Sequence, residues 1–272
     1  MKVPFSSKPW SSRVWRAGHE GEGAREVPEE TPVALVYDAS TEAVMMATPA
    51  DLEDFAYGFS LNEGLIASLD EVRTLDIVSG EHGVEARLWL KPDRAHAVAA
   101  RRRSRAGPTG CGLCGVESLE DAVRVRGEVT ARLRLSPADV TAALAALEGR
   151  QPLGRATRAV HAAAFWAPGD GIVAVREDVG RHNALDKLAG ALARQGVDPA
   201  TGAVILTSRV SVEMVQKAVA MGTPVLIAIS APTALALRTA ETAGLTVVAV
   251  ARDDGFEVFT RPERIAGLFS VR

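Results

Sequence analysis

The chain has 272 residues, which is enough for one or two domains. Its hydrophobic share of 47% and charged share of 24% are typical of a globular protein and exclude a disordered or fibrous chain. A net charge of −3 argues against non-specific nucleic-acid binding, and no apolar run is long enough to cross a membrane. Because the first residues also lack a signal-peptide pattern, the sequence predicts a cytoplasmic protein.

The first half of the chain predicts a smaller α+β domain over residues 31–110. Residues 1–30 show no periodic apolar face, so we expect a poorly ordered N-terminal segment there. The stretch Thr48–Asp51 reads Thr-Pro-Ala-Asp and predicts a helix start with Thr48 as the N-cap. Strands are predicted over 33–37, 43–47 and 84–90. The arginine-rich stretch 99–110 predicts a flexible basic loop that ends this domain.

The second half predicts an α/β domain over residues 111–272. Residues 136–139 read Ser-Pro-Ala-Asp, so they repeat the earlier helix opening and predict a second helix there. Residues 168–171 predict a hairpin turn between two apolar strands. After that turn, short strands alternate with helices: strands over 203–206, 225–229 and 246–250, and helices over 183–194, 212–221 and 233–243. This alternation predicts a sheet with helices on both faces.

Both cysteines of the sequence lie in one glycine-rich motif, Gly110–Gly115, which reads Gly-Cys-Gly-Leu-Cys-Gly. A zinc site needs four ligands, and no histidine stands at a ligand spacing from another, so no metal is predicted. The match to G-x-G-x-x-G follows a basic loop instead of a buried strand, which argues against a dinucleotide site. The nearby arginines and open amides favour the thiolate of Cys111 or Cys114. The residues leave a dithiol redox centre and a sulfur carrier both open.

Polar side chains follow three consecutive strands of the second half. Residues 176–183 are dense in charged, amide and imidazole groups, and 207–209 and 230–233 also end apolar strands. Ligands of open α/β sheets bind at the carboxyl ends of strands, so we expect a shared anion-binding rim. A solvated turn with helix caps would explain Asp178 and Asn183 but not the density of polar groups. The candidate binding residues are Arg181, His182, Asn183, Ser208 and Arg209.

Two further features carry candidate chemistry. His161 lies in an apolar run, where a single histidine is usually a core residue, and Ala163 stands where a zinc deaminase would need a glutamate. Phe259–Arg264 combines an aromatic ring with two guanidinium groups, which can stack a base and bind phosphates. The alternative interpretation of that segment is a strand that leads into a helix begun by proline.

These motifs resemble the formate dehydrogenase accessory sulfurtransferase family, the FdhD/NarQ proteins. The resemblance runs from Pro32 to Arg264 and rests on eight segments: Val44–Phe55, Cys111–Gly115, His161–Phe165, Arg176–Lys187, Thr207–Ser211, Val215–Lys217, Ser230–Thr233 and Phe259–Arg264. It implies a cytidine-deaminase-like fold for the larger domain, a mixed sheet with helices on both faces. It also implies a homodimer.

The resemblance further implies a function. Proteins of this family accept sulfur from a cysteine desulfurase and pass it to the molybdenum or tungsten bis-guanine-dinucleotide cofactor of formate dehydrogenase. The carried persulfide maps to Cys111, with Cys114 as its neighbour. The cofactor-binding segment maps to Phe259, Thr260, Arg261, Pro262, Glu263 and Arg264.

The cofactor is expected as a substrate held near Arg181, Arg209 and Arg264, with no permanently bound metal. Two other functions remain open: a non-catalytic chaperone that escorts the cofactor, and a dithiol oxidoreductase.

Overall fold

The computed structural model describes residues 2–104, 125 and 127–267, and within these ranges the chain forms three β-sheets and seven α-helices. The strands are β1 (Ser7–Arg16), β2 (His19–Pro28), β3 (Thr31–Tyr37), β4 (Ser40–Ala47), β5 (Val72–Ser79), β6 (Val84–Leu90), β7 (His161–Ala167), β8 (Gly171–Asp178), β9 (Ala203–Leu206), β10 (Val225–Ala228), β11 (Thr246–Arg252) and β12 (Gly255–Val258). The helices are α1 (Leu52–Asn62), α2 (Pro92–Ser104), α3 (Pro137–Leu147), α4 (Pro152–Thr157), α5 (Arg181–Gln195), α6 (Val212–Met221) and α7 (Ala234–Thr242). The predicted α/β class is confirmed.

Residues 7–28 form an antiparallel ribbon, in contrast to the poorly ordered segment expected for residues 1–30. Strands β1 and β2 pair from Ser7 opposite Pro28 to Arg16 opposite His19. Most side chains of the ribbon are exposed, so the backbone ladder holds it together without an apolar face. Hydrophobic periodicity therefore gave no signal for these strands.

The smaller sheet has the strand order β4-β3-β6-β5, with β3 and β6 parallel and the other pairs antiparallel. The predicted alternation of β6 is confirmed: Val84, Ala86, Leu88 and Leu90 are buried against the core. Helix α1 packs its apolar residues into the same core. The helix begins at Leu52 without a side-chain cap, so the prediction of Thr48 as its N-cap was wrong.

The predicted basic loop over 99–110 is partly helical. Helix α2 begins at Pro92, an amino acid suited to the first helical position, and continues to Ser104 through residues rich in alanine and arginine. Both amino acids favour helices, and this propensity outweighs the loop interpretation for residues 99–104. The rest of that stretch and the proposed boundary at residue 110 lie outside the described residues, as does the cysteine motif.

The larger sheet has the strand order β12-β11-β10-β9-β7-β8. Strands β9, β10 and β11 are parallel, while β7 is antiparallel to both of its neighbours. Helices α5, α6 and α7 cover one face and α3 covers the other, as the sequence predicts. The predicted start of α3 is confirmed as a capping box: the Ser136 hydroxyl accepts from Asp139 N, and the Asp139 carboxylate accepts from Ser136 N at 2.7 Å.

Helices α1 and α5 join the two sheets through a close crossing. A Cβ on Gly58 would lie 1.7 Å from the Asp186 carbonyl oxygen, and one on Gly190 would lie 1.9 Å from the Asp54 carbonyl oxygen. Only glycine therefore permits this helix spacing at either position. Beside the crossing, the Asp54 carboxylate accepts from Arg176 Nε at 2.8 Å. No helix among the described residues is both long and apolar enough to cross a bilayer.

Candidate functional site

The carboxyl edge of the larger sheet gathers most of the polar strand ends singled out in the sequence. Strands β8, β9 and β10 run in the same direction, so the residues that follow them share one edge. Because β7 runs the opposite way, its first residue, His161, lies at that edge too. The structure thus brings Arg181, His182, Ser208 and Arg209 to one side of the sheet. Their role in binding a ligand stays a prediction.

A buried turn fixes where α5 begins. The Asp178 carboxylate accepts from Gly180 N at 2.8 Å, from Asn183 Nδ2 at 2.9 Å and from Thr48 N at 3.0 Å. Lys187 Nζ lies 2.6 Å from the same carboxylate, and both side chains are inaccessible to solvent. This network holds the first turn of α5 in place and ties it to the smaller sheet.

The first two side chains of α5 have polar atoms that the rest of the described chain does not satisfy. Neither Arg181 Nε nor His182 Nε2 has a hydrogen-bond partner there, although both atoms are buried. Burial, followed by the nearby charges of Arg181 and Lys217, lowers the pKa of His182 to about 4. The imidazole is therefore neutral near pH 7 and offers one donor and one acceptor.

The remaining candidates at this edge differ in how accessible they are. Asn183 is buried, and its side-chain nitrogen donates to Asp178 and to the Met46 carbonyl, so only its side-chain oxygen is left for a ligand. Ser208 is also buried, and its hydroxyl donates to the Arg209 carbonyl at 3.1 Å. The Arg209 side chain is exposed and can contact a ligand directly.

A cavity of about 630 Å3 opens beside His161 at this edge, and we call it the α4 groove. Its lining residues are Gln151, Gly154, Arg155, Arg158, Val160, His161 and Thr207. His161 is partly buried, and burial and then the charge of Arg181 lower its pKa. The sequence left the role of His161 open, and the structure places it, as the first residue of β7, in the lining of this opening.

Glu177 positions the helix that forms one wall of the α4 groove. Its carboxylate accepts from Leu153 N at 3.0 Å and from Gly154 N at 2.7 Å. These amides belong to the first turn of α4, where no intrahelical acceptor exists for them. Glu177 therefore acts from β8 as the cap of a six-residue helix that begins without a side-chain cap of its own.

Sequence reasoning missed two guanidinium groups of this site, those of Arg155 and Arg158. Helix α4 was not predicted, because six residues are too few to show a helical period. The available signal was the density of arginines between residues 150 and 158, just before the apolar run of His161.

The segment Phe259–Arg264 lies at the other end of the strands, beside the amino end of β11. Thr260 is buried and its hydroxyl donates to the Leu245 carbonyl at 2.7 Å. Arg261 donates to the Glu241 carbonyl at 2.8 Å, and Arg264 donates to the Gly244 carbonyl at 2.6 Å. The other members remain open to solvent: Phe259, Pro262 and Glu263.

This placement corrects the expectation of one pocket near Arg181, Arg209 and Arg264. Arg181 and Arg209 follow the carboxyl ends of β8 and β9, whereas Arg264 binds just before the amino end of β11. Because β8, β9 and β11 are parallel, these positions lie at opposite ends of the sheet. The sequence suggested one site because it does not show the direction of β12. Since β12 is antiparallel to β11, the residues that follow β12 lie at the amino ends of the parallel strands, opposite Arg181 and Arg209.

The predicted catalytic residues Cys111 and Cys114 lie outside the described residues, so their role stays a prediction. Across residues 2–104, 125 and 127–267, no group of three or more histidine, cysteine, aspartate and glutamate side chains is arranged to hold a metal ion.

The chain is similar to proteins described as sulfur carriers. The model of the FdhD/NarQ family matches residues 28–266. A protein of Agrobacterium fabrum named sulfur carrier protein FdhD is 54% identical over 97% of this chain and 98% of its own length. Proteins of the same name from Brucella abortus and Cupriavidus necator are 53% and 50% identical, over 90% and 92% of this chain and 91% and 87% of their own lengths.

A solved structure shares the fold. It is described as a formate dehydrogenase accessory protein from Desulfotalea psychrophila, and it superposes with a TM-score of 0.73 at 27% sequence identity. The match covers 96% of this chain and all of the other. With a family model matched over most of its length and relatives that are more than half identical to it, the chain belongs to the FdhD/NarQ family.

Proposed function

We propose that this protein is a sulfur carrier that serves formate dehydrogenase. In this proposal it takes sulfur from a cysteine desulfurase as a persulfide and transfers it to the molybdenum or tungsten bis-guanine-dinucleotide cofactor. The observation that carries the proposal is its identity of 54%, over 97% of its length, to a protein named sulfur carrier protein FdhD. The proposed partners are the desulfurase and formate dehydrogenase, while a homodimer and a cytoplasmic location remain predictions.

The proposed loading step is a thiol exchange at sulfur. The Cys111 thiolate attacks the terminal sulfur of the desulfurase persulfide, the sulfur–sulfur bond of that persulfide breaks, and the desulfurase thiolate leaves. No net oxidation occurs, because one sulfane sulfur moves from one thiol to another. The arginines close to Cys111 in the sequence favour the thiolate that this attack requires.

The proposed unloading step reduces the carried sulfur. The Cys114 thiolate attacks Cys111 at its inner sulfur, a Cys111–Cys114 disulfide forms, and hydrosulfide leaves for the metal of the cofactor. The two cysteine sulfurs lose the two electrons that the sulfane sulfur gains. A cellular dithiol then reduces the disulfide and resets the carrier.

The segment Phe259–Arg264 supports the binding of the guanine-dinucleotide cargo. Phe259 is exposed enough to stack on a base, and the guanidinium groups of Arg261 and Arg264 retain N–H groups beyond those that bind backbone carbonyls. We propose Arg181 and Arg209, at the carboxyl ends of β8 and β9, as a second region that contacts the cofactor.

Intact mass spectrometry after incubation with a cysteine desulfurase and free cysteine tests this function. The wild-type protein should gain the mass of one sulfur atom, and dithiothreitol should remove it. Cys111→Ala should gain none, whereas Cys114→Ala should gain sulfur but fail to activate formate dehydrogenase.

Other outcomes of the same experiment identify the alternative functions. Activation of formate dehydrogenase by the Cys111→Ala, Cys114→Ala double variant would show an escorting chaperone. A reversible disulfide without any gain of sulfur would show a dithiol oxidoreductase.

A further inference from the structure

The α4 groove has the shape and charge of a second anion site, separate from the Phe259–Arg264 segment. We propose that it binds a phosphoanhydride group through Arg155, Arg158 and Thr207. The groove lies at the carboxyl edge of the larger sheet, and the Phe259–Arg264 segment lies at the other edge. The two regions therefore cannot be one pocket of a single chain.

The first support is the charge of the lining. Among the seven residues that line the groove there are two arginines and no aspartate or glutamate. The Glu177 carboxylate beside Gly154 already accepts from two backbone amides, and Glu20 and Glu22 line a neighbouring cavity that Arg158 also borders. Within the described part of the chain, no carboxylate forms an ion pair with Arg155 or Arg158. An uncompensated pair of guanidinium groups at a concave surface favours an anion.

The second support is the backbone of Arg158. This residue ends α4 in the left-handed conformation, with φ of 54°. Glycine or asparagine is the usual choice at such a position, because any side chain with a Cβ is strained there. An exposed arginine placed at a strained position beside a cavity points to a role for its guanidinium group.

The third support is the size of the groove and the geometry of its donors. A volume of about 630 Å3 exceeds what one small anion fills and is in the range of small-molecule sites. Guanidinium forks match the oxygen atoms of phosphate, and the neutral His161 imidazole and the Thr207 hydroxyl add single hydrogen-bonding groups. A diphosphate with an attached group fits this set better than a carboxylate does.

The ligand has two chemical sources that share the phosphoanhydride group: a free nucleoside diphosphate, or one guanine-dinucleotide arm of the proposed cargo. The second source rests on the proposed function, and the first does not. A preference for GDP over ADP that is lost in Arg158→Asn would identify the cargo arm, whereas equal binding of both that depends on Arg158 would identify a general diphosphate site. Either result supports the phosphoanhydride site, because binding at Phe259–Arg264 would not depend on Arg158.

Isothermal titration calorimetry of the full chain with inorganic pyrophosphate, GDP and ADP tests the proposal. The wild-type protein should bind pyrophosphate with a saturable isotherm. Arg155→Gln and Arg158→Asn should each weaken that binding by about tenfold or more, the value expected for a hydrogen bond to a charged group. Asparagine accepts the left-handed backbone, so Arg158→Asn removes the charge without adding strain.

Matched controls distinguish binding in the groove from a general attraction of anions to the protein surface. Arg238→Gln removes one exposed charge from α7, away from the groove, and should leave pyrophosphate binding unchanged. Thermal unfolding should show that each variant folds.

Absence of saturable binding to the wild-type protein would overturn the proposal, as would binding that depends on Arg261 or Arg264 but not on Arg158. Gain of sulfur at Cys111 in Arg158→Asn would show that the proposed function stands even if the groove binds nothing.

Discussion

Lys187 and Asp178 form an ion pair with a distance of 2.6 Å from Nζ to Oδ2, and neither side chain is accessible to solvent. Lys187 Nζ also donates to the Thr48 carbonyl at 2.8 Å. Since Asp178 accepts from the backbone of Gly180, this pair links the start of α5 to the end of β4. It is a structural pair that places Arg181 and His182 at the candidate site.

Replacing Lys187 by methionine should destabilise the protein by about 3 to 5 kcal/mol, because it leaves the Asp178 carboxylate buried without its counter-charge. Urea unfolding followed by circular dichroism measures the change. The double variant Asp178→Asn, Lys187→Met should recover part of the loss, since no buried charge remains. Equal stability of the wild-type protein and Lys187→Met would contradict this pairing.

The crossing of α1 and α5 should tolerate no methyl group. Gly58→Ala and Gly190→Ala should each cost about 3 kcal/mol or more, because the new Cβ would overlap a backbone carbonyl of the other helix. Gly21→Ala is the matched control, since a Cβ there meets nothing within 4 Å. Its effect should stay within about 0.5 kcal/mol of zero. Thermal unfolding of the three variants measures these changes in stability. A similar loss of stability in all three would argue against the close crossing of α1 and α5.

His182 should make the folded state sensitive to mild acid. Its pKa is about 4 in the folded chain against 6.5 ordinarily, so the unfolded chain binds more protons between these values. Stability is therefore complete above pH 6.5 and falls as the pH drops toward 4, by about 3 kcal/mol in total at about 1.4 kcal/mol per pKa unit. His161 shifts in the same direction.

The slope of stability against pH measures this contribution. His182→Gln should show a shallower loss of unfolding free energy than the wild-type protein between pH 6.5 and 4. Carboxylates away from His182 titrate alike in both proteins, so the difference between the two curves reports on His182 together with Glu213, whose pKa the His182 charge lowers. Parallel curves would show that the pKa of His182 is the same in the folded and unfolded states, contrary to its burial.

The sequence was sufficient to predict the larger sheet, because its strands are short apolar runs between helices with clear starts and ends. The bounds of β9 and α6 agree with the prediction at every residue. It was insufficient for α4 and for the ribbon of β1 and β2. Neither has an apolar period, since backbone hydrogen bonds and the Glu177 cap hold them in place.

The candidate site shows the same division. Parallel strand order predicted that Arg181 and Ser208 share one edge, and the structure places them so. The sequence could not show that Arg264 binds at the other edge, because that depends on how β12 pairs with β11. It also could not show that Asn183 turns inward to Asp178, since an amide at a helix start serves equally well as a cap or as a ligand-binding group.

Glu177 should be required for the shape of the α4 groove. Glu177→Ala removes the acceptor of two amides in the first turn of α4 and should cost about 1 to 3 kcal/mol. Hydrogen exchange at Leu153 and Gly154 should accelerate, because these amides lose protection. Glu85→Ala is the control: Glu85 is a partly exposed carboxylate paired with Arg87, and its loss should change stability by less than about 1 kcal/mol. Unchanged exchange at both amides in Glu177→Ala would contradict the capping role.

Thr48 and Ser136 open similar sequences, Thr-Pro-Ala-Asp and Ser-Pro-Ala-Asp, but they stabilise the protein in different ways. The Ser136 hydroxyl caps its own helix, whereas the Thr48 hydroxyl accepts from Val179 N at 3.1 Å, in the turn before α5. Ser136→Ala should therefore cost about 1 kcal/mol, the usual value for a lost N-cap. Thr48→Val should cost about 1 to 3 kcal/mol, because it leaves the Val179 amide without an acceptor.

The two losses should also differ in location. Hydrogen exchange should accelerate at Asp139 in Ser136→Ala, and at Val179 and Gly180 in Thr48→Val. Thr48→Ser keeps the hydroxyl and should restore protection at Val179. If Thr48→Val instead exposed only the first amides of α1, Thr48 would be an ordinary helix cap, and its hydroxyl would not contribute to the link between the two sheets.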